Sequence, residues 1–175
     1  MKKDNKNGFT LVETLVAIAV LLLAVAAPLS LATKSLNSSA LSKQQITASF
    51  LAQEAMEYIR NARDRNVLKD GPENWLKGTG VKMDFCLNNK CQVDVLNNKI
   101  EKCIGSCLLL RYSESSGVYS YDLGNDTIDS FYTRTIEMNE IETDVEVAIL
   151  VTVSWQGTNG VDYKVIAREN LTNWQ

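Results

Sequence analysis

Gly8-Phe9-Thr10-Leu11-Val12-Glu13-Thr14-Leu15 opens the stretch that decides the fold. It places one carboxylate near the start of a long apolar run: from Phe9 to Ala32 the only ionisable side chain is Glu13. At about 1.5 Å per residue the run makes a helix of roughly 36 Å, long enough to cross a bilayer. A charge within lipid costs ~2.5–3.5 kcal/mol at the centre of a span and less near its end, so an unpaired acid here points to a partner and a function. Eight mostly polar residues come first, Met1-Lys2-Lys3-Asp4-Asn5-Lys6-Asn7-Gly8.

An ordinary secretory signal has an apolar run of about 7–15 residues followed by a small-residue cleavage site. The run here is longer, and helical patterning continues beyond it. A plain signal anchor explains the length and the lysines but neither Glu13 nor the Gly-Phe junction ahead of the run. Residues Gly8 to Glu13 resemble the processing site of type IV prepilins and of the pseudopilins of type II secretion. The resemblance implies that a prepilin peptidase cuts between Gly8 and Phe9 on the cytoplasmic side and that Phe9 is then N-methylated. Glu13 becomes the fifth residue of the mature chain. The cationic amine and the Glu13 carboxylate attract each other in a low-dielectric setting, and in the family the pair forms between neighbouring subunits as well as within one. A buried charge pair is better evidence for register than for stability, so Glu13 is expected to set the stagger of one subunit on the next. The implied partners are the peptidase, other pilin or pseudopilin subunits in a helical filament, an inner-membrane assembly platform and membrane lipid. Ala17, Pro28 and residues 51–60 further resemble the minor V-type pilins and the I-type minor pseudopilin, low-copy subunits that prime or cap filaments.

The chain has 175 residues, 18 basic and 21 acidic, and no His. That is room for one anchor and one modest domain. Removal of residues 1–8 takes away three Lys and one Asp and leaves a net charge of −5, no footprint for nucleic acid. Lys2, Lys3 and Lys6 precede the span, which by the positive-inside rule puts residues 1–8 in the cytoplasm and everything after Ala32 outside. Lack of His removes Ser-His-Asp and Cys-His catalysis and imidazole ligation, and no Gly-rich phosphate loop is present. No catalytic residue, metal ligand or cofactor is expected.

Past Ala32 the helical period continues. Ala48, Leu51, Ala52, Ala55, Met56, Ile59 and Ala62 form an apolar stripe, predicting one helix from about Phe9 to about Arg63. Ser and Asn at positions 35–39 weaken propensity locally. Pro28 removes a backbone donor and crowds the carbonyl of Ala24, so a kink is expected there, either loosening on assembly or simply tolerated. Asp70-Gly71-Pro72 and Lys77-Gly78-Thr79-Gly80 read as loops, with Trp75-Leu76 tucked back on the helix. Residues 108–112 and 118–121 predict a hairpin, and residues 131–138 a strand. Val145, Val147, Ile149, Val151, Val153 and Trp155 alternate, and after a turn at Asn159-Gly160 so do Val161, Tyr163, Val165 and Ala167. A long helix followed by an antiparallel sheet is an α+β architecture, similar to that of pilin heads. The resulting division is 1–8 leader, 9–32 membrane half of the helix, 33–65 amphipathic half packing on the head, and 66–175 head, with a cysteine region at 86–107.

Cys86, Cys91, Cys103 and Cys107 occupy that region. Zinc knuckles generally use two-residue gaps, and an extracytoplasmic position favours oxidation, so two disulfides are expected rather than zinc. A hairpin turning at Asn97-Asn98 gives nested bridges, 91–103 inside 86–107, if a one-residue bulge is allowed. Short-range pairs 86–91 and 103–107 are the alternative. Tyr112, Tyr119, Tyr121 and Trp155 could line a ligand groove, although aromatics on strands more often pair across strands. The reading that results is a structural subunit of a type IV pilus or type II secretion pseudopilus; the alternative is a membrane-anchored binding or adhesion domain that does not polymerise.

Overall fold

The computed structural model describes residues 8–121, 127–157 and 160–173. The expectations for residues 1–7 and for Asn159 lie outside the described residues. The chain divides at Lys43/Gln44 into two compact units. One helix, α1 (Leu11–Asp70), runs through both and contains Pro28. In the first unit every residue from Gly8 to Ala40 is exposed. A helix apolar on all sides has no face to turn toward water; it is suited to lipid or to other helices.

The second unit begins on α1. All seven residues of the apolar stripe, Ala48 to Ala62, are buried, and Tyr58 and Asn66 join them. The predicted end of the helix at Arg63 is corrected: α1 continues seven residues to Asp70. The reason is Asn66, one turn past Ala62, whose Nδ2 donates to the carbonyls of Trp75 (3.0 Å) and Val81 (2.9 Å). A polar sequence that reads as loop is held helical by one buried amide. Gly71, at φ +88°, ends the helix and donates to the Val67 carbonyl, the left-handed stop that glycine allows. Trp75 and Leu76 are buried as expected.

Among the described residues seven strands follow: β1 (Lys90–Asp94), β2 (Lys99–Lys102), β3 (Leu109–Tyr112), β4 (Tyr119–Ser120), β5 (Ile128–Glu142), β6 (Glu146–Gln156) and β7 (Asp162–Thr172). All strand pairings are antiparallel. β5 is the axis. One side carries β6 and then β7; the other carries the β1–β2 hairpin and the β3–β4 hairpin. Alternation sends Tyr132, Arg134, Ile136 and Met138 of β5 and Val147, Ile149, Val151, Val153 and Trp155 of β6 inward. Each buried aliphatic side chain of this kind is worth roughly 1.5–3 kcal/mol. Val145 and Val161, expected within strands, are exposed and stand just outside β6 and β7. In β7 the positions of Tyr163, Val165 and Ala167 are only half-buried, as befits an edge strand.

The cysteines are joined Cys86–Cys91 and Cys103–Cys107, with Cα–Cα distances of 5.3 and 4.8 Å. This overturns the nested pairing and the zinc alternative. The hairpin itself forms as expected, between Asp94 and Lys99, but its register opposes Cys91 to Lys102. Cys103 consequently lies across from Lys90, to whose carbonyl its N–H donates (2.9 Å), and a shift of one residue turns its side chain to the other face of the sheet from Cys91. Each cysteine instead meets its nearest neighbour in sequence.

Candidate functional site

Gly8, Phe9 and Thr10 precede the helix in exposed, non-helical backbone. Thr10 is the cap: its Oγ1 accepts the Glu13 N–H at 3.3 Å, and its carbonyl accepts the Thr14 N–H at 3.2 Å. Glu13 is thus the third residue of the first turn, three after a capping threonine. Sequence reasoning singled out Glu13 and passed over Thr10, although Thr-x-x-Glu before an apolar run is the signature of a helix start. The free N–H groups of the first turn carry a positive partial charge, and a carboxylate there is favoured by about 0.3–1 kcal/mol.

The Gly8–Phe9 bond is open. A Cβ built on Gly8 meets no other atom within 4 Å. The chain's own packing therefore does not require glycine at this position; any such requirement comes from whatever reads the segment. Phe9 is 78% exposed, and Leu11, Val12, Leu15 and Val16 continue the uncovered apolar surface. Pro28 falls within this surface, among exposed Val25 and Leu29.

The head holds a second group that the sequence reading missed. Arg134 is fully buried and anchors α1 to the sheet. Its Nη1 donates to Glu54 (2.6 Å) and to the Leu51 carbonyl (3.1 Å), and its Nη2 to the Val93 carbonyl (2.7 Å). The available signal was its place in the inward series Tyr132, Arg134, Ile136. Nearby, Asp94 accepts from Ser120 (2.7 Å) and from the backbone and side chain of Asn97 (3.1 and 2.9 Å). Burial pushes the Asp94 carboxyl up, and these hydrogen bonds together with Arg134 outweigh it, leaving the group below the usual carboxylate range.

Of the four aromatics proposed for a groove, only Tyr119 lines one, beside Val118 and Phe50. Tyr112, Tyr119 and Trp155 belong to a ladder in which Tyr112 meets Tyr119 at 4.9 Å, Tyr119 meets Tyr132 at 5.9 Å, Tyr132 meets Trp155 at 5.8 Å and Trp155 stacks on Tyr163 at 5.6 Å. Trp155 Nε1 donates to Gln44, and the Tyr121 hydroxyl to the Arg134 carbonyl. The cysteines, paired as disulfides, are structural staples.

Helix, sheet and uncovered apolar N-terminus together define a class: a helix-anchored α+β subunit of pilin-like architecture. A family model described as the prokaryotic N-terminal methylation motif matches residues 3–27. The motif supports the type IV pilin and pseudopilin family for this chain, and with it a membrane-anchored structural subunit. No curated protein and no solved structure matches the chain.

Proposed function

We propose that this chain is a prepilin-type subunit, cut between Gly8 and Phe9 by a prepilin peptidase, methylated at Phe9, and polymerised through its N-terminal helix. Residues 1–8 are the cytoplasmic leader, 9–32 the membrane and assembly half of the helix, 33–65 its head-packing half and 66–175 the extracytoplasmic head. The chain waits in the cytoplasmic membrane and then joins other subunits, on an inner-membrane assembly platform, in a pilus or pseudopilus. The observation that carries this reading is a helix exposed on every side, from Leu11 to Ala40, whose membrane-length apolar run holds one carboxylate, in its first turn.

Cleavage after Gly8 leaves a cationic amine immediately before the Thr10 cap. A cation at a helix N-terminus opposes the helix dipole, and Glu13, one turn away, offsets it within the subunit or receives the amine of a neighbour. Once the helices of several copies pack together, their exposed leucines and valines are covered. A head-to-tail contact that does not close on itself makes a helical polymer.

The mass of the N-terminus of membrane-extracted protein tests the processing step: a start at Phe9 with one added methyl is expected, and an intact Met1 overturns it. Glu13→Ala tests assembly. The variant is expected to be processed normally and to be missing from sheared filaments; unchanged polymer would favour an anchored domain that works alone.

A further inference from the structure

We propose that the outward face of β7 of one copy docks in the groove between α1 and the β3–β4 hairpin of the next copy, so that heads meet side by side. This rests on the subunit reading above and adds the surface through which neighbouring heads recognise each other.

The groove has a volume of about 600 Å³, with Thr47, Phe50, Glu54 and Glu57 of α1 on one wall and Val118 and Tyr119 of the hairpin on the other. Phe50 is 65% exposed, an aromatic ring left in water on the helix of a packed head. The side chains of Glu54 and Glu57 are 38% and 63% exposed although Arg134 and Arg60 bind them. The site accordingly fits an apolar side chain accompanied by cations.

The same chain carries that complement. On β7 the positions of Tyr163, Val165 and Ala167 oppose the inward residues Trp155, Val153 and Val151, so Lys164, Ile166 and Arg168 point to the opposite face. Ile166 is 39% exposed, large and apolar. The cations two residues on either side of it, each about 6.6 Å away along the strand, make no ion pair and no side-chain hydrogen bond among the described residues. An apolar knob between two unspent cations matches an apolar groove edged by the acidic side chains of Glu54 and Glu57, and such complementarity fixes partner choice and register.

The placement also suits a repeating array. The groove lies at the β4 edge of the sheet and Ile166 at the β7 edge, on opposite sides of β5. The two lie at similar heights along α1: Trp155, beside Tyr163, binds Gln44, and Glu169 binds Arg60. Ile166 sits between those ties on β7, as Phe50 does on α1. A contact between two different patches at opposite edges and equal height is heterologous, and each added copy presents a fresh groove.

Two measurements on the full-length chain in cells test this. All four native cysteines are in disulfides, so new ones report cleanly. Chains bearing Phe50→Cys and chains bearing Ile166→Cys, expressed together, are expected to give a crosslinked dimer that neither gives alone. Lys164→Glu with Arg168→Glu is expected to lower sheared filament about tenfold, and adding Glu57→Lys to restore much of it. Trypsin resistance of the head separates this effect from misfolding. Filaments that form without the mixed crosslink and ignore the charge reversal overturn the interface and leave the subunit reading intact. A wild-type chain that stays monomeric in the membrane overturns both.

Discussion

Arg134 ties β5 to α1 and to β1. A buried guanidinium that loses its partners, or leaves them, exposes the full desolvation cost of the group that remains. Arg134→Ala removes hydrogen bonds to Glu54 and to two backbone carbonyls, while Glu54 keeps access to water, so a loss of about 1–3 kcal/mol in head stability is expected from denaturant unfolding. A change below about 1 kcal/mol would mean that water replaces the guanidinium without penalty. Asn66 and Gly78 form a second such point. A Cβ on Gly78 would come within 2.2 Å of the Asn66 Oδ1, so Gly78→Ala is expected to cost about 1–3 kcal/mol by overpacking. An Asn66→Ala background takes the amide out of that clash and leaves the Cβ of residue 66 at 2.7 Å, so the Gly78→Ala cost should shrink without vanishing; strict additivity in the double-mutant cycle would deny their contact. Tyr132 sets an alkaline limit. Burial pushes its hydroxyl up to about 12, and that hydroxyl donates to the Gln44 carbonyl at 3.1 Å. The unfolded phenol ionises first, near its ordinary value of about 10. The stabilising contribution is therefore complete below about pH 10 and is lost as pH rises toward 12; Tyr132→Phe should flatten that part of the urea-midpoint profile.

At the scale of elements, periodicity was legible and register was not. The stripe from Ala48 to Ala62 and the alternation from Val147 to Trp155 are local patterns that burial alone imposes, so sequence spacing reveals them. The end of α1 escaped because it depends on Asn66 meeting carbonyls 9 and 15 residues away. The cysteine pairing escaped for a similar reason. The hairpin was foreseen, but whether Cys91 faces Lys102 or Cys103 is decided by hydrogen bonds to β5 and by the turn, and one residue inverts the answer. Peptide mapping without reduction is expected to recover 86–91 and 103–107 as separately linked peptides, and a peptide containing both Cys91 and Cys103 joined by a bridge would contradict the register. Each small loop should contribute on the order of 2 kcal/mol in the chain-entropy view.

At the scale of the molecule, the N-terminal half of α1 and the head answer to different environments. The first has an apolar surface with no covering of its own; the second has a packed core of alanine stripe, β5 and β6. The N-terminal methylation motif was readable because a lone acid in an apolar run is conspicuous in one dimension. The lateral surface was not, since Phe50 and Ile166 are 116 positions apart and become complementary only after the sheet has placed them at its two edges.

Under the export proposed for the head, the consecutive pairing of the cysteines bears on how it matures. A chain threading outward from the membrane presents Cys86, then Cys91, then Cys103, then Cys107, and each bridge joins the two thiols that emerge one after the other. Neither waits for a distant segment. An oxidase acting on the nascent head reaches the native pattern in one pass, with nothing for an isomerase to repair, and a host lacking such an isomerase should still secrete correctly bridged protein.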